Sequence, residues 1–417
     1  MIDFKRNVID NGLKILVNED FSTPLVAMNI IYNVGSRDED PELTGMAHLF
    51  EHLMFGGSRN IPDFDTPLQM AGAENNAFTN NDFTNYYLTI PSDNLETGFW
   101  LESDRMLSLS FSEEVLSVQK KVVIEEFKQR YLNQPYGDIM LLLRPLAYKE
   151  HPYLWPTIGK DISHIERVKL NNIKDFFSAN YNPNNAILSV SGNIKYKKVL
   201  ELADKWFGPI KATNKNLRRL PSETAQTEGR FLNVKRDVPS NVIYKAWHVC
   251  RRTDKDFYTL DLITDILAGG ESGRLYSLLV RDKKLFSDIN AYVSGEIDPG
   301  LMIINGKLMD GVSFEAAEQA IGEVIADLKK APVTVHEMEK VRNKFEASMI
   351  FSNTSVQNKA MNLGFYELLG NADSINNEID RYNKVKTEMI IEALCGYLSE
   401  SNCSTLHYQS LKPHNKR

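Results

Sequence analysis

A polar stretch near the middle of the chain decides the domain organisation: GPIKATNKNLRRLPSETAQTEG, residues 208–229. It is poor in aromatic residues and contains glycine and proline at its borders, a composition typical of an interdomain linker. The whole chain has 417 residues, more than one hydrophobic core usually accommodates. We therefore predict two domains, residues 1–207 and 230–417, joined by a linker at 208–229.

Both predicted domains begin with the same order of elements, two strand patterns followed by a helical pattern. In the first half these patterns lie at 13–17, 25–34 and 43–55, and in the second half at 231–234, 242–249 and 256–267. The repeated order predicts an α+β fold of two duplicated domains. Each domain is expected to hold an antiparallel or mixed sheet covered by helices.

Composition and charge exclude several classes of protein. The chain is 42% hydrophobic and 25% charged, as in ordinary globular proteins. It has no apolar run long enough to span a membrane, and its first residues lead into a polar strand pattern rather than a signal peptide. The net charge is −7, without a basic run that would bind nucleic acid. We expect a soluble protein of the bacterial cytoplasm that binds neither nucleic acid nor membrane.

The residues best suited to chemistry lie in the helical pattern GMAHLFEHLMF, residues 45–55. At about 100° per residue, His48 and His52 project from one helix face and can share a tetrahedral zinc ion. Glu51 lies about 60° to the other side of His48, where it can reach a metal-bound water. This is the inverted H-x-x-E-H order. The alternative is a chance group of structural side chains, but burying two imidazoles and a carboxylate on an apolar helix is costly without a cation.

A catalytic zinc site needs a third protein ligand, and no other histidine lies nearby in the sequence. The candidate carboxylates are Glu74, Glu113, Glu114, Glu125 and Glu126. Helix periodicity favours Glu126, because Val122 and Val123 precede it by one turn and predict an inward-facing position. Glu125 falls closer to the solvent side of the same helix. The alternative for Glu126 is a structural ion pair.

Several motifs together resemble the pitrilysin or insulinase-like (M16) family of zinc peptidases, and in particular its short-chain branch related to mitochondrial processing peptidase. They are NGL at 11–13, GSR at 35–37, the segment 45–55, NAFT at 76–79, DFTNYY at 82–87, 122–126 and YNP at 181–183. The resemblance implies a fold of the LuxS and processing-peptidase type. It also implies one zinc ion per chain, bound by His48, His52 and Glu126, with Glu51 as the general base.

The same resemblance implies how a substrate binds. Asn76, Ala77 and Phe78 correspond to an exposed edge strand onto which a peptide adds as a further strand. Arg281, which follows the glycine-rich segment 269–276, matches an arginine that contacts substrate. Two positions depart from the family pattern. The tyrosine that helps to stabilise the tetrahedral intermediate corresponds to Asp288, and an acidic residue that supports the metal site corresponds to Gln119.

These observations predict a zinc metalloendopeptidase of the H-x-x-E-H type that hydrolyses unfolded peptides. Long members of the family carry four such domains, so a chain with two is expected to dimerise, either with itself or with a related subunit. The C-terminal domain is then expected to complete the substrate chamber. Two alternatives stay open. The chain could be a non-catalytic scaffold or partner subunit of a processing-peptidase-like heterodimer, or a metal-dependent hydrolase of another substrate.

Overall fold

The computed structural model describes residues 1–213, 219–331 and 333–411. The strands are β1 (Lys5–Val8), β2 (Lys14–Glu19), β3 (Leu25–Tyr32), β4 (Glu74–Thr79), β5 (Thr84–Pro91), β6 (Ala186–Gly192), β7 (Arg230–Arg236), β8 (Val242–His248), β9 (Phe286–Val293), β10 (Leu301–Leu308) and β11 (Cys403–Ser410). The helices are α1 (Met46–Phe55), α2 (Asp65–Met70), α3 (Leu95–Leu107), α4 (Glu113–Phe127), α5 (Ile139–Ala147), α6 (Ile162–Arg167), α7 (Leu170–Asn180), α8 (Tyr196–Trp206), α9 (Asp256–Ala268), α10 (Phe314–Lys330), α11 (Val335–Ser352), α12 (Val356–Leu368), α13 (Glu378–Asn383) and α14 (Thr387–Tyr397).

The chain divides into two compact units that interleave along the sequence. Unit 1 contains Met1–Gln129, Trp155–Pro221 and Met349–Asn377, and unit 2 contains Arg130–Leu154, Ser222–Ser348 and the residues from Glu378 on. Each unit therefore takes one segment from the other half of the sequence. The predicted division into contiguous domains at 1–207 and 230–417 describes the duplication along the sequence, and it stays a proposal.

The predicted linker at 208–229 contains one boundary between the units, after Pro221. Residues 208–213 and 219–229 form turns and irregular structure. Residues 214–218 of the predicted linker lie outside the described part of the chain. The composition of the predicted linker therefore agrees with its described residues, 208–213 and 219–229, which form neither helix nor strand.

Unit 1 is built on a sheet with the strand order β1-β2-β6-β3-β5-β4. The β2–β6 pair is parallel, and the other pairs are antiparallel. Side chains of β3 alternate between two covered faces. Met28 lies under Gly98 of α3, whereas Ile31 and Asn29 lie under Gly364 of α12. Both helices approach the sheet so closely that a Cβ at either glycine would lie 3.5 Å or less from a side chain of the sheet.

Unit 2 repeats this topology with the strand order β7-β11-β8-β10-β9, in which β7 and β11 are parallel. Without β1, the sheet of unit 1 has the same order. Helices α9, α10 and α14 contribute to the core on one face of this sheet, and α5 contributes Leu143 to the core on the other face. The predicted α+β fold of two duplicated domains with helix-covered sheets is confirmed, and both sheets are mixed rather than purely antiparallel.

None of the described helices combines the length and the apolar composition that crossing a lipid bilayer requires.

Candidate metal centre

Helix α1 carries the two histidines and is fixed by its apolar side. Leu49 and Phe50 are fully buried, and Phe50 stacks on Tyr181 with ring centroids 4.5 Å apart. The chain enters the helix through Gly45, whose φ of +89° favours glycine. A Cβ at this position would also lie 2.6 Å from the carbonyl oxygen of Ile158. The entry into α1 therefore depends on glycine, and the packed side sets which side chains face outward.

His48 and His52 lie one helical turn apart on the partly exposed side of α1. Their ring centroids are 4.9 Å apart, with the ring planes nearly perpendicular. Glu126 of α4 faces them, its Oε2 lying 3.7 Å from Nε2 of His48 and 3.3 Å from Nε2 of His52. Among the described residues, these three form the only group of histidine, cysteine and acidic side chains whose potential ligand atoms lie within 4.8 Å of one another.

The donor set fits a zinc ion. With zinc–ligand bonds of about 2.0–2.1 Å, a tetrahedral site separates its ligand atoms by roughly 3.3 Å, close to the two distances from Glu126. Two imidazoles and one carboxylate are a known catalytic zinc set, which leaves a fourth position for water or substrate. All three side chains are partly buried, with 12%, 25% and 16% of their surface exposed for His48, His52 and Glu126. A cation would compensate this carboxylate where little water reaches it.

The structure brings together the three predicted ligands, but only one of the two valines that favour Glu126 faces inward. Val123 is fully buried, as an inward-facing position requires, but Val122 is 44% exposed. Glu126 therefore lies at the border of the buried side of α4, where its carboxylate reaches α1. The neighbouring Glu125 is exposed and pairs with Lys128 at 2.6 Å. The assignment of the ligands stays a prediction.

Glu51 lies on α1 but outside this cluster of ligand atoms. Its Oε2 accepts a hydrogen bond of 2.6 Å from the hydroxyl of Thr79, at the end of β4. The hydroxyl of Thr84, which pairs with Thr79 across the strands, donates to the carbonyl oxygen of Val34. The hydrogen bond from Thr79 restricts the orientation of the Glu51 carboxylate.

Asn76, Ala77 and Phe78 lie on β4, the last strand in the order of the unit 1 sheet. This strand pairs with β5 through one side, with Asn76 opposite Tyr87. The same strand carries Thr79, so the predicted peptide-binding edge is connected to Glu51 by one hydrogen bond.

The second unit contains the remaining predicted contact. Arg281 lies in a π-helical segment, Tyr276–Asp282, and its exposed guanidinium pairs with Asp282 at 2.9 Å. Asp288, at the position of the family tyrosine, lies on β9, and Gln119 lies on α4. The predicted role of Arg281 in substrate binding stays a prediction.

Comparison with known families agrees with this arrangement. The family model described as "Insulinase (Peptidase family M16)" matches residues 14–149, and the model "Peptidase M16 inactive domain" matches residues 167–345. Together the two models match most of the chain. It belongs to the M16 peptidase family. The predicted ligands and Glu51 all lie within the stretch that the insulinase model matches, and outside the stretch matched by the inactive-domain model.

Similar M16 proteins extend over nearly the whole chain. The zinc protease PqqE of Helicobacter pylori is 28% identical over 97% of this chain and 92% of its own length. The crystal structure of a protease from Helicobacter pylori has a TM-score of 0.92 at 27% identity and covers 99% of this chain and 100% of its own. Pitrilysin has a TM-score of 0.77 at 17% identity, and this chain covers 46% of its length. This chain therefore belongs to a family whose named members include zinc proteases, which are hydrolases.

Sequence reasoning missed two residues that contact Glu51 or the start of α1. Thr79 belongs to the motif at 76–79, but nothing in the sequence indicates that it contacts Glu51. Glu39, six residues before Gly45, is 1% exposed and accepts hydrogen bonds from the backbone at the start of α1. The available signal was a charged residue close to the start of the histidine-bearing helix, which alone does not predict burial.

Proposed function

We propose that the chain is a zinc endopeptidase in which His48, His52 and Glu126 bind one zinc ion and Glu51 is the general base. One observation carries this proposal. The three potential ligand atoms lie within 4.8 Å of one another. Glu51 lies on the same helix as the two histidines, and its carboxylate accepts a hydrogen bond from Thr79 of β4. Such a group fits metal-assisted hydrolysis better than it fits a structural ion pair, because a paired carboxylate does not need two imidazoles on one side.

When bound, zinc supplies Lewis acidity, which makes water more acidic and polarises a carbonyl oxygen. Glu51 accepts a proton from the water that attacks the carbonyl carbon of the peptide. As the bond between that carbon and the peptide nitrogen breaks, Glu51 gives the proton to the nitrogen, which leaves as an amine. Thr79 keeps the carboxylate oriented through both transfers. The Glu51 carboxylate is therefore regenerated at the end of each cycle.

We further propose that the peptide binds along β4. An extended peptide that pairs with Asn76, Ala77 and Phe78 gains main-chain hydrogen bonds whatever its side chains are. This mode selects unfolded substrates, because a folded protein does not offer a free extended segment. Arg281 of unit 2 is proposed as a further substrate contact.

The test is hydrolysis of a library of quenched unfolded peptides, with zinc and with a chelator. We expect cleavage by the zinc-loaded protein, loss of cleavage after chelation, and recovery when zinc is added back. Cleavage that is unaffected by removal of the metal would refute the proposal.

The active form is proposed to be a dimer, either of this chain or with a related subunit, that closes a substrate chamber. Support comes from the structural match to pitrilysin, in which the fold of this chain occupies 46% of the length. Sedimentation of the purified chain, alone and mixed with a related subunit, should show that cleavage accompanies the dimeric fraction. Full specific activity in a monomeric fraction would contradict this expectation.

A second candidate function is a non-catalytic partner subunit of a processing-peptidase-like heterodimer. It is favoured by the match of residues 167–345 to a model described as an inactive domain. This alternative predicts that the isolated chain neither binds zinc tightly nor cleaves peptides, so the chelator experiment separates the two candidate functions.

A cytoplasmic location is also part of the proposal, and cell fractionation tests it.

A further inference from the structure

A buried carboxylate lies at the beginning of the histidine-bearing helix. Glu39 is 1% exposed, and its two oxygens accept hydrogen bonds of 2.8 Å from the backbone N–H groups of Gly45 and Ala47. The indole N–H of Trp155 donates to the same carboxylate at 3.1 Å. Glu39 therefore receives three N–H donors, two of which belong to the first turn of α1.

These contacts replace the usual cap of a helix. The first N–H groups of a helix have no partner within the helix, and a polar side chain at the N-cap usually accepts from one of them. In α1 the N-cap is Gly45, which has no side chain that could do so. The carboxyl group of Glu39 takes over this function at the positive end of the helix dipole. The last residue that it holds, Ala47, directly precedes His48.

Other contacts fix the same corner of unit 1. The backbone N–H of Thr44 donates to Nδ1 of His164 at 3.1 Å, and the hydroxyl of Thr44 accepts from the N–H of Lys160 at 2.9 Å. These contacts hold the residue directly before Gly45, so the entry into α1 is fixed by Thr44 as well as by Glu39.

Burial of Glu39 is unfavourable for the ionised form of its side chain. Burial raises the pKa of Glu39 to about 8, and the hydrogen bonds from Ala47, Gly45 and Trp155 only partly oppose this effect. A carboxyl group whose pKa is raised by folding makes the folded state less stable at any pH above the unfolded pKa. The two hydrogen bonds to the backbone of Gly45 and Ala47 show what this buried carboxyl group does in the structure: it fixes the geometry at the start of α1.

We propose that Glu39 is a positioning residue of the metal centre: it anchors the first turn of α1 so that His48 and His52 point towards Glu126. The inference rests on the proposed function, because it concerns the same metal ligands. Glu39 acts through the backbone N–H groups of Gly45 and Ala47, which it holds at the start of α1.

The test is the zinc affinity of the variant E39Q, measured by competition with a chromophoric chelator. Both oxygens of a carboxyl group can accept a hydrogen bond whether or not it is ionised, whereas the amide of glutamine has one acceptor oxygen and an NH2 group that only donates. One N–H at the start of α1 therefore loses its partner and faces a donor. Changes around metal ligands of this kind weaken metal affinity about 10–100-fold, and we expect a loss of at least about tenfold here. Thermal unfolding of the metal-free protein shows whether the variant is folded.

The matched control is E378Q. Glu378 is also 1% exposed and is paired with Arg252 in unit 2. The control should keep the zinc affinity of the wild type. Unchanged affinity in E39Q, or an equal loss in both variants, would overturn the proposal. If E39Q does not fold, E39D with E378D as its control replaces it, because aspartate is too short to reach both N–H groups.

Peptide cleavage by the wild type is recorded in the same series. A wild type that binds zinc but cleaves no peptide would refute the proposed function, while the role of Glu39 is still read from the affinities. A wild type that cleaves peptides, together with an E39Q that binds zinc equally well, would refute only the inference about Glu39.

Discussion

Glu51→Gln should abolish peptide hydrolysis while zinc remains bound. Glutamine has nearly the shape of glutamate and can still accept the hydrogen bond from Thr79, but it cannot take a proton from water. General base catalysis typically contributes about 10²–10⁴-fold to the rate, and we expect a loss in this range in kcat. The measurement combines the zinc content of the purified variant with its rate on a quenched peptide.

Two results would contradict this account of Glu51. Full activity in the variant would show that another group accepts the proton. Loss of zinc from the variant would show that Glu51 is itself a ligand, contrary to its position outside the cluster formed by His48, His52 and Glu126.

Glu126→Gln should lose both zinc and activity, whereas Glu125→Gln should keep both. The two residues are neighbours on α4, yet only the carboxylate of Glu126 approaches the histidines, at 3.3 and 3.7 Å. A neutral amide is a poor zinc ligand, and loss of a direct ligand should weaken affinity on the order of 100-fold or more, beyond the effect of a supporting residue. Zinc affinity is measured by chelator competition for both variants.

Glu125→Gln is the matched control because it removes the same charge from the same helix. Its own partner is Lys128, and the carboxylate is largely exposed. Equal weakening by the two substitutions would mean that zinc responds only to the overall charge of α4. Weakening by Glu125→Gln alone would transfer the role of third ligand to that residue.

The predictable part of the site was local in sequence. Helix periodicity placed His48 and His52 on one side of α1, because four residues complete just over one turn. The same reasoning favoured Glu126 over Glu125, although the exposure of Val122 shows that it did not describe the whole face of α4. Periodicity identifies which residues share a face but does not say which other element that face meets.

The unpredicted part depends on contacts between distant residues. Thr79 reaches Glu51 across 28 residues of sequence, and Trp155 reaches Glu39 across 116. The interleaving of the units also depends on distant contacts, since α5 belongs to unit 2 and α12 belongs to unit 1. A local pattern predicts that α12 is a helix with a buried side. Its packing on Ile31 depends on topology, which the duplicated order of strands did not specify.

The central claim is that one zinc ion, bound by the three predicted ligands, is required for peptide hydrolysis. Its most direct test is a titration of zinc into the metal-free wild-type protein, with bound zinc and the rate on a quenched unfolded peptide followed together. We predict that the rate rises in proportion to bound zinc and stops rising at one equivalent per chain. A rate that is already maximal without zinc, or no hydrolysis at full occupancy, would contradict the account.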